Sequence, residues 1–476
     1  MFGDVSPLTE SERSHLTDEE IKNGIRLACH TYILGKCAVE SIDDSNNTAV
    51  LTDGEIGKIP LSPSFKKLGV AIDIGTTTLA ARLISTSGIT LSECGVSNPQ
   101  SLFGADVISR IEAFLAGNGS ELAKLIKSSI DSLISELCKK AHRIPSEIDG
   151  IAITGNTVML YLLTGTSPEP LSHAPFSLTR PFGESLTASD LGLTSVESDT
   201  EIYLPPCISA FIGADTVCAI IASGLCDQPY STEQTLGTSE KSNAGKLNTT
   251  KTALLADIGT NGEMALWHGG KLYVCSTAAG PAFEGVGISM GMRGERGAID
   301  RVSLVNGRLE ASVIGGGTPK GICGSGLVDA VAALLDIEEL DETGYLDGEE
   351  VSILFPVNLT AKDIRMVQLA KSAICAGICT LMNEAKVTED SVSVLYIAGG
   401  FGNYLNKTAA GRIGLLPKKL VNKTKNIGNA ALIGAEMLLL NNDARLFAEK
   451  LSKDAFTVEL STNKYFSESF MSGMMF

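Results

Sequence analysis

Two nine-residue segments carry the same chemistry-bearing pattern: Val70-Ala-Ile-Asp-Ile-Gly-Thr-Thr-Thr78 and Leu254-Leu-Ala-Asp-Ile-Gly-Thr-Asn-Gly262. In each, three apolar residues run into Asp-Ile-Gly-Thr. An aspartate at the end of a buried strand is a hard oxygen ligand that suits Mg²⁺, usually through water, so Asp73 and Asp257 are candidate catalytic and metal residues. Gly75 and Gly259 then let the backbone turn sharply. Successive N–H groups, with the hydroxyls of Thr76, Thr77 and Thr260, are left facing one point, which is an anion-binding nest. Asn261 and Gly262 allow the second loop to approach a ligand closely. One such turn is a weak signal, but two facing each other would clamp a polyphosphate from both sides. A third segment, Leu395-Tyr-Ile-Ala-Gly-Gly-Phe-Gly402, also ends in glycines but carries no acid. Alone it would read as a simple strand-to-helix turn. Beside the other two, Gly399, Gly400, Phe401 and Gly402 suit a flat nucleoside better than a metal.

Other residues are candidates on weaker grounds. Asp215 sits inside an apolar helix, where a charge is costly unless paired or near the helix start. Two readings stand for it: it orients the attacking water or the metal, or it is an N-terminal-turn carboxylate. Glu263 and Glu284 are further candidates for the first role. Gly324-Ser325-Gly326 precedes a helix and reads either as an anion- or ribose-binding helix start or as a plain one. Arg293 and Arg296 lie in a glycine-rich loop and read better as solvated side chains than as phosphate or partner contacts. Cys375 and Cys379, one helical turn apart, read better as buried thiols than as a metal site. The five histidines form no ligand cluster, and no Ser-His-Asp or Cys-His set is visible.

The elements that must position these residues alternate between strand and helix. Val70–Ile74, Gly150–Thr154, Leu254–Asp257 and Val394–Ala398 read as buried strands. Ser120–Ala141, Ile208–Leu225, Ile364–Leu381 and Asn429–Leu440 read as helices. The pattern implies an α/β fold. Ile56–Leu68 reads as a linker, and Gln228–Thr252 as an exposed hinge or loop. With 476 residues the chain has room for two or three domains. Its 49 glycines against 16 prolines suggest backbone that approaches something closely rather than flexible linker. A net charge of −17 argues against nucleic-acid binding. No apolar run is long enough to span a bilayer, and no signal peptide is visible. Eleven scattered cysteines suit a reducing cytoplasm.

The order of phosphate turn, helix, phosphate turn, adenosine turn and helix resembles the actin, hexokinase and heat-shock-chaperone ATPase superfamily. The resemblance covers nearly everything from Gly69 onward. It implies two ribonuclease-H-like lobes closing on Mg²⁺ and ATP, with Ile208–Leu225 and Asn429–Leu440 as connecting helices. More narrowly, several segments resemble the reductive activators of corrinoid proteins. These are Asn98-Pro-Gln with Phe103-Gly-Ala-Asp-Val-Ile-Ser-Arg-Ile111, Thr154-Gly-Asn-Thr, Thr277-Ala-Ala-Gly-Pro-Ala-Phe-Glu-Gly285, Gly321-Ile-Cys-Gly-Ser-Gly326 and Ile397-Ala-Gly-Gly-Phe-Gly402. That family couples ATP hydrolysis to reduction of Co(II) to Co(I) on a corrinoid protein or methyltransferase.

Gly3–Glu10 and Gly24-Ile-Arg-Leu-Ala-Cys-His-Thr31 resemble the end of the family's two-iron ferredoxin domain. The resemblance makes Cys29 its fourth cluster ligand. No cysteine precedes Cys29, so a 2Fe-2S cluster requires ligands upstream of Met1, and a truncated start is favoured over a lost cluster. The expected layout is a partial ferredoxin-like segment 1–48, linker 49–67, lobe I 68–228 and lobe II 229–476, with a final helix returning to the cleft. A ferredoxin or flavodoxin would supply electrons, and a homodimer is left open. Two rival readings stand: a small-molecule kinase of the same superfamily, and a non-catalytic nucleotide-binding remnant.

Overall fold

A computed structural model describes residues 2–9, 12–13, 21–22, 24–26, 31–38, 59–226 and 251–476. Two compact units are separable, Met1–Asn47 and Thr48–Phe476. In the first, strands Phe2–Val5 and Ile33–Ala38 pair antiparallel. Its Glu12 is fully buried and accepts hydrogen bonds from Arg26, at 2.8 Å, and from Thr31, at 3.0 Å.

The second unit is built on two six-stranded sheets. The first contains β1 (Leu68–Ile74), β2 (Thr78–Ser85), β3 (Thr90–Ser97), β4 (Ile148–Gly155), β5 (Glu184–Thr187) and β6 (Glu201–Leu204). Their order across the sheet is β3-β2-β1-β4-β6-β5. The second contains β7 (Ala253–Ile258), β8 (Gly262–His268), β9 (Lys271–Thr277), β10 (Val394–Ala398), β11 (Thr424–Asn426) and β12 (Phe456–Thr457), in the order β11-β10-β7-β8-β9-β12. Each sheet has an antiparallel three-strand meander followed by two parallel strands. The repeated Asp-Ile-Gly-Thr segments are thus equivalent turns of a duplicated ribonuclease-H-like topology.

Strand periodicity of two decides what faces the space between the lobes. Val70, Ile72 and Ile74 point outward and pack with the apolar face of helix Gly119–Ala141. Leu254, Ala256 and Ile258 point outward from the second sheet toward helices Gly324–Asp336 and Ala361–Glu384. The alternate residues, Ala71, Ala80, Ala152, Ala253, Leu255 and Ala265, face inward. Most of these are alanine, which leaves room for two apolar helices, Ala214–Ser223 and Ala430–Leu440. A Cβ on Gly434 would sit 2.0 Å from the Cys218 carbonyl oxygen, so the helices meet backbone to backbone there.

Three details differ from the expected elements. The helix expected over Ile208–Leu225 begins only at Ala214, because Gly213 is extended and lies against Asn156 and Thr157. The stretch expected as a linker is pinned before it enters β1: Ser62 and Ser64 donate backbone N–H groups to the Leu440 and Leu439 carbonyls, and Phe65 is buried. The helix that returns to the interlobe space is Ala430–Leu440. The terminal helix, Lys464–Ser472, lies on Ala361–Glu384, where Ser372 donates to the Phe470 carbonyl. Ala361–Glu384 is long and apolar enough by composition to cross a membrane, but 72% of its most apolar window is buried, which marks it as a core helix.

Gly434→Ala should push the two helices apart and cost about 1–3 kcal/mol, read as a lowered thermal unfolding midpoint. An unchanged midpoint would show that the helices are free to separate.

Candidate functional site

The inward set of each sheet ends in a carboxylate. Asp73 continues the face of Ala71, Asp257 that of Ala253 and Leu255, and Glu263 that of Ala265 and Trp267. Register makes the two aspartates equivalent. Asp73 lies between Ala80 and Thr154, and Asp257 between Glu263 and Ala398. Asp215 joins them from the first turn of helix Ala214–Ser223, where it accepts from the Thr216 N–H at 2.7 Å. The structure therefore brings Asp73, Asp215, Asp257 and Glu263 together at the floor of the interlobe cleft.

Both glycine turns close through the glycine N–H, the second one residue tighter than the first. The Gly75 N–H donates to the Thr78 carbonyl at 2.9 Å, and the Gly259 N–H to the Asn261 carbonyl at 3.0 Å. A Cβ on Gly75 would sit 2.8 Å from the Thr78 oxygen, so the first turn needs glycine. Gly262 opens β8 and packs on Ile374 and Thr277. The threonine hydroxyls converge on one side: Thr77 donates to Glu284 at 3.3 Å and Thr260 donates to Glu284 at 3.0 Å. Asn156 caps helix Thr157–Thr164 and reaches Thr76 at 3.1 Å. Asn429 caps helix Ala430–Leu440 and donates to Asp73 at 3.1 Å.

The electrostatics are one-sided. Desolvation, with the charges of Asp215 and Asp257, raises Asp73 to about 7 against the lowering bond from Asn429. Desolvation, with Asp215 and Glu284, raises Asp257 to about 7. Desolvation also raises Asp215 to about 6, against hydrogen bonds from Thr216. Glu263 is pushed well above its ordinary value by burial and by the charges of Asp215, Asp257 and Glu284. Among the described residues, none of these four carboxyls is held down by a cation. Nor does any group of three or more His, Cys, Asp and Glu side chains there form a ready-made metal cage. Carboxylates that make no direct cage are the kind of oxygen donors that hold a divalent cation through its water shell.

The third glycine segment lies alongside. A Cβ on Gly399 would sit 2.6 Å from Asp257 Oδ1, and Gly400 faces open space. Gly402 packs on Ile397. Phe401 stacks on Phe283, with ring centroids 4.8 Å apart and planes 11° apart. Gly324 and Gly326 are needed for packing. Added Cβ atoms would lie 1.9 Å from the Phe283 carbonyl oxygen and 2.3 Å from that of Ile299. Ser325 donates to the Asp300 carbonyl. Arg293 and Arg296 are exposed, and Arg293 reaches Ser97 of the other lobe at 3.5 Å. Cys375 and Cys379 are half-buried thiols hydrogen-bonded to each other, with no disulfide between them. Cys29 lies outside the described residues.

Sequence reasoning assigned no role to Asn156, Asn429 or Arg110, although each lies in or beside a quoted segment. Arg110 is fully buried, and its guanidinium donates to the Thr76 carbonyl at 2.6 Å and the Gly104 carbonyl at 3.0 Å, with Met159 Sδ at 3.4 Å. It thus holds the first glycine turn from behind. The available signal was a lone arginine following a short apolar helical start.

Two ribonuclease-H-like sheets that enclose an acid-floored cleft between paired glycine turns define an actin- and hexokinase-type, or ASKHA, protein. Residues 251–476 match the C-terminal ASKHA domain of RACo, and residues 68–228 match the RACo middle region. The chain is 34% identical to the corrinoid activation enzyme RamQ of Eubacterium limosum over 86% of its own length and 70% of the relative's. It is 26% identical to the [Co(II) methylated amine-specific corrinoid protein] reductase of Methanosarcina barkeri over 84% of its length and 76% of the relative's. A solved reductive activator for a corrinoid, iron-sulfur protein is 32% identical and superimposes with a TM-score of 0.74, covering 87% of this chain and 67% of that one. The chain belongs to the family of reductive activators of corrinoid proteins.

A carboxyl whose pKa is raised by folding holds its proton more tightly in the folded state than in the unfolded one. Its contribution to stability is full below the ordinary value of 3.8 and is lost as pH rises through about 6 to about 7. With chelator present, the unfolding midpoint should therefore fall between roughly pH 5 and pH 8. Asp257→Asn should reduce that fall and be more stable than the parent at the upper end. Equal pH profiles for the two proteins would contradict the assigned desolvation.

Proposed function

We propose that this chain couples ATP hydrolysis in the interlobe cleft to reduction of Co(II) to Co(I) on a partner corrinoid protein or corrinoid methyltransferase. The observation that carries the reading is the pair of equivalent Asp-Ile-Gly-Thr turns whose hydroxyls converge on one carboxylate across the cleft. Family membership supports it. Asp73 and Asp257 would hold Mg²⁺ through water, and the ion, when bound, neutralises phosphate charge. The turn N–H groups with Thr76, Thr77 and Thr260 would bind and orient the phosphate oxygens. Asn261 and Gly262 would let the second turn close on them. Asp215 would orient the attacking water, and Gly399, Gly400, Phe401 and Gly402 would border the nucleoside. Gly324, Ser325 and Gly326, whose glycines also pack closely, would offer the start of helix Gly324–Asp336 to the ribose or an anion. Catalysis of this kind is positioning plus charge stabilisation.

The balance is one electron to cobalt, from a reduced ferredoxin or flavodoxin, while ATP and water become ADP and phosphate. Any 2Fe-2S cluster would need ligands beyond those in this chain. Among the described residues no cysteine is in a disulfide, which suits a reducing cytoplasm.

The test is anaerobic cobalt spectroscopy on the corrinoid partner with ATP and a reductant. Formation of Co(I) should require ATP, and Asp73→Ala or Asp257→Ala should lower both ATP turnover and Co(I) formation by about 100-fold. ATP-independent reduction would sink the proposal. ATP turnover stimulated by a sugar or small acid, with the phosphorylated acceptor as product, would turn the assignment to a kinase.

A further inference from the structure

We infer that Glu284 is a positioning residue that stands in for a phosphoryl group between the two glycine turns, and that an entering nucleotide must displace it. The inference rests on the nucleotide reading above and adds a residue to it. Glu284 is the meeting point of the two lobes' turns: one carboxylate oxygen accepts from Thr77 of lobe I and the other from Thr260 of lobe II. Each hydroxyl has a single proton to donate. Neither threonine can serve Glu284 and a phosphate oxygen at the same time, so the carboxylate and the ligand compete for the same donors.

The surrounding residues hold Glu284 at that point. It ends the short turn Pro281–Glu284, anchored at one end by the Gly280 N–H donating to the Thr260 carbonyl at 3.0 Å. At the other end the Gly285 N–H donates to the Ala282 carbonyl, with Gly285 in the left-handed region at φ 78°. Gly259 makes room for the carboxylate, since a Cβ there would lie 3.2 Å from Glu284 Oε1. The preceding Phe283 is buried and stacked on Phe401 of the third glycine segment. Movement of Glu284 is therefore coupled to the wall assigned to the nucleoside. In the free protein, Glu284 holds the two turns at a spacing that one anion can bridge. In the bound protein, its charge would lie beside the phosphates, where it cannot bond the same hydroxyls.

The test uses the full chain. Hydrogen exchange of the nucleotide-free protein should show faster exchange at the amides of Thr76–Thr78 and Thr260–Gly262 in Glu284→Gln than in the parent. Calorimetric titration with a non-hydrolysable ATP analogue and Mg²⁺ should show Glu284→Gln binding about fivefold more tightly, because the competitor for the threonine donors is weakened. Binding that is unchanged, or weaker by a similar factor, would overturn the inference, the latter making Glu284 a direct ligand. Glu284→Ala repeats both measurements without any side-chain acceptor, and the parent's unfolding midpoint is the control for folding. If the parent itself binds no analogue, the nucleotide reading fails. The exchange measurement then still decides whether Glu284 ties the turns together, and equal exchange would overturn that too.

Discussion

Several carboxylates share one cleft, and among the described residues no cation answers them there. Mutual repulsion of charges at the foot of a cleft is worth several times a neutral hydrogen bond of about 1 kcal/mol, so the single bond from Asn429 to Asp73 cannot offset it. Burial, and after it this repulsion, favours the protonated acids and raises Asp73 and Asp257 to about 7. Most of the remaining architecture can be read from this constraint. Period-two strands aim the acids inward, alanines beneath them admit two helices, and glycine turns above them present donors in place of cations. An anionic ligand that brings its own divalent metal relieves the repulsion and satisfies the donors together.

Arg110 is the exception that clarifies the arrangement. It is a fully buried cation close to the site, yet it faces the back of the first turn and not the acids. Its partners are two carbonyl oxygens and a thioether sulfur, with no carboxylate among them. A buried guanidinium is costly: desolvation depresses its pKa to about 10, against the nearby charge of Asp106. Three contacts made from separate nitrogens of one planar group explain arginine in place of lysine. The fork fixes the Thr76 carbonyl pointing away from the cleft, which leaves the neighbouring N–H groups free to face it.

The sequence made the frame of this site legible because the frame is local. Asp-Ile-Gly-Thr occurs twice, and strand periodicity with a glycine turn is sufficient to place both aspartates. The strand Val394–Ala398 and the helix after Asn429 follow from apolar runs bounded by turn residues. What could not be read depended on contacts between distant segments. Glu284 lies 207 residues from Thr77, and Asn429 lies 356 from Asp73. Gly213 broke the expected helix for a reason found only in its approach to Asn156. Gly324-Ser325-Gly326 could be read as a ligand-binding or a plain helix start, and the close approach of its glycines to the Phe283 and Ile299 backbones was not visible in the sequence. A glycine signals close approach without naming what approaches.

The same long-range contacts determine how the lobes can move. Helix Ala430–Leu440 follows β11 of the second sheet in the chain, but it is bound to lobe I. Asn429 bonds Asp73, Glu436 pairs with Arg82 at 3.2 Å, and Leu439 and Leu440 bond Ser64 and Ser62. Glu436 is fully buried, so separating it from Arg82 would strand a desolvated charge. The helix therefore travels with the first sheet. The chain enters it from the second lobe at Gly428, a left-handed residue (φ 64°) whose carbonyl accepts from the Gly399 N–H at 3.1 Å. Gly399 in turn lies against Asp257. A shift of the Gly428 backbone would therefore be relayed through Gly399 to Asp257 in the second lobe, while Asn429 ties the same helix to Asp73 in the first.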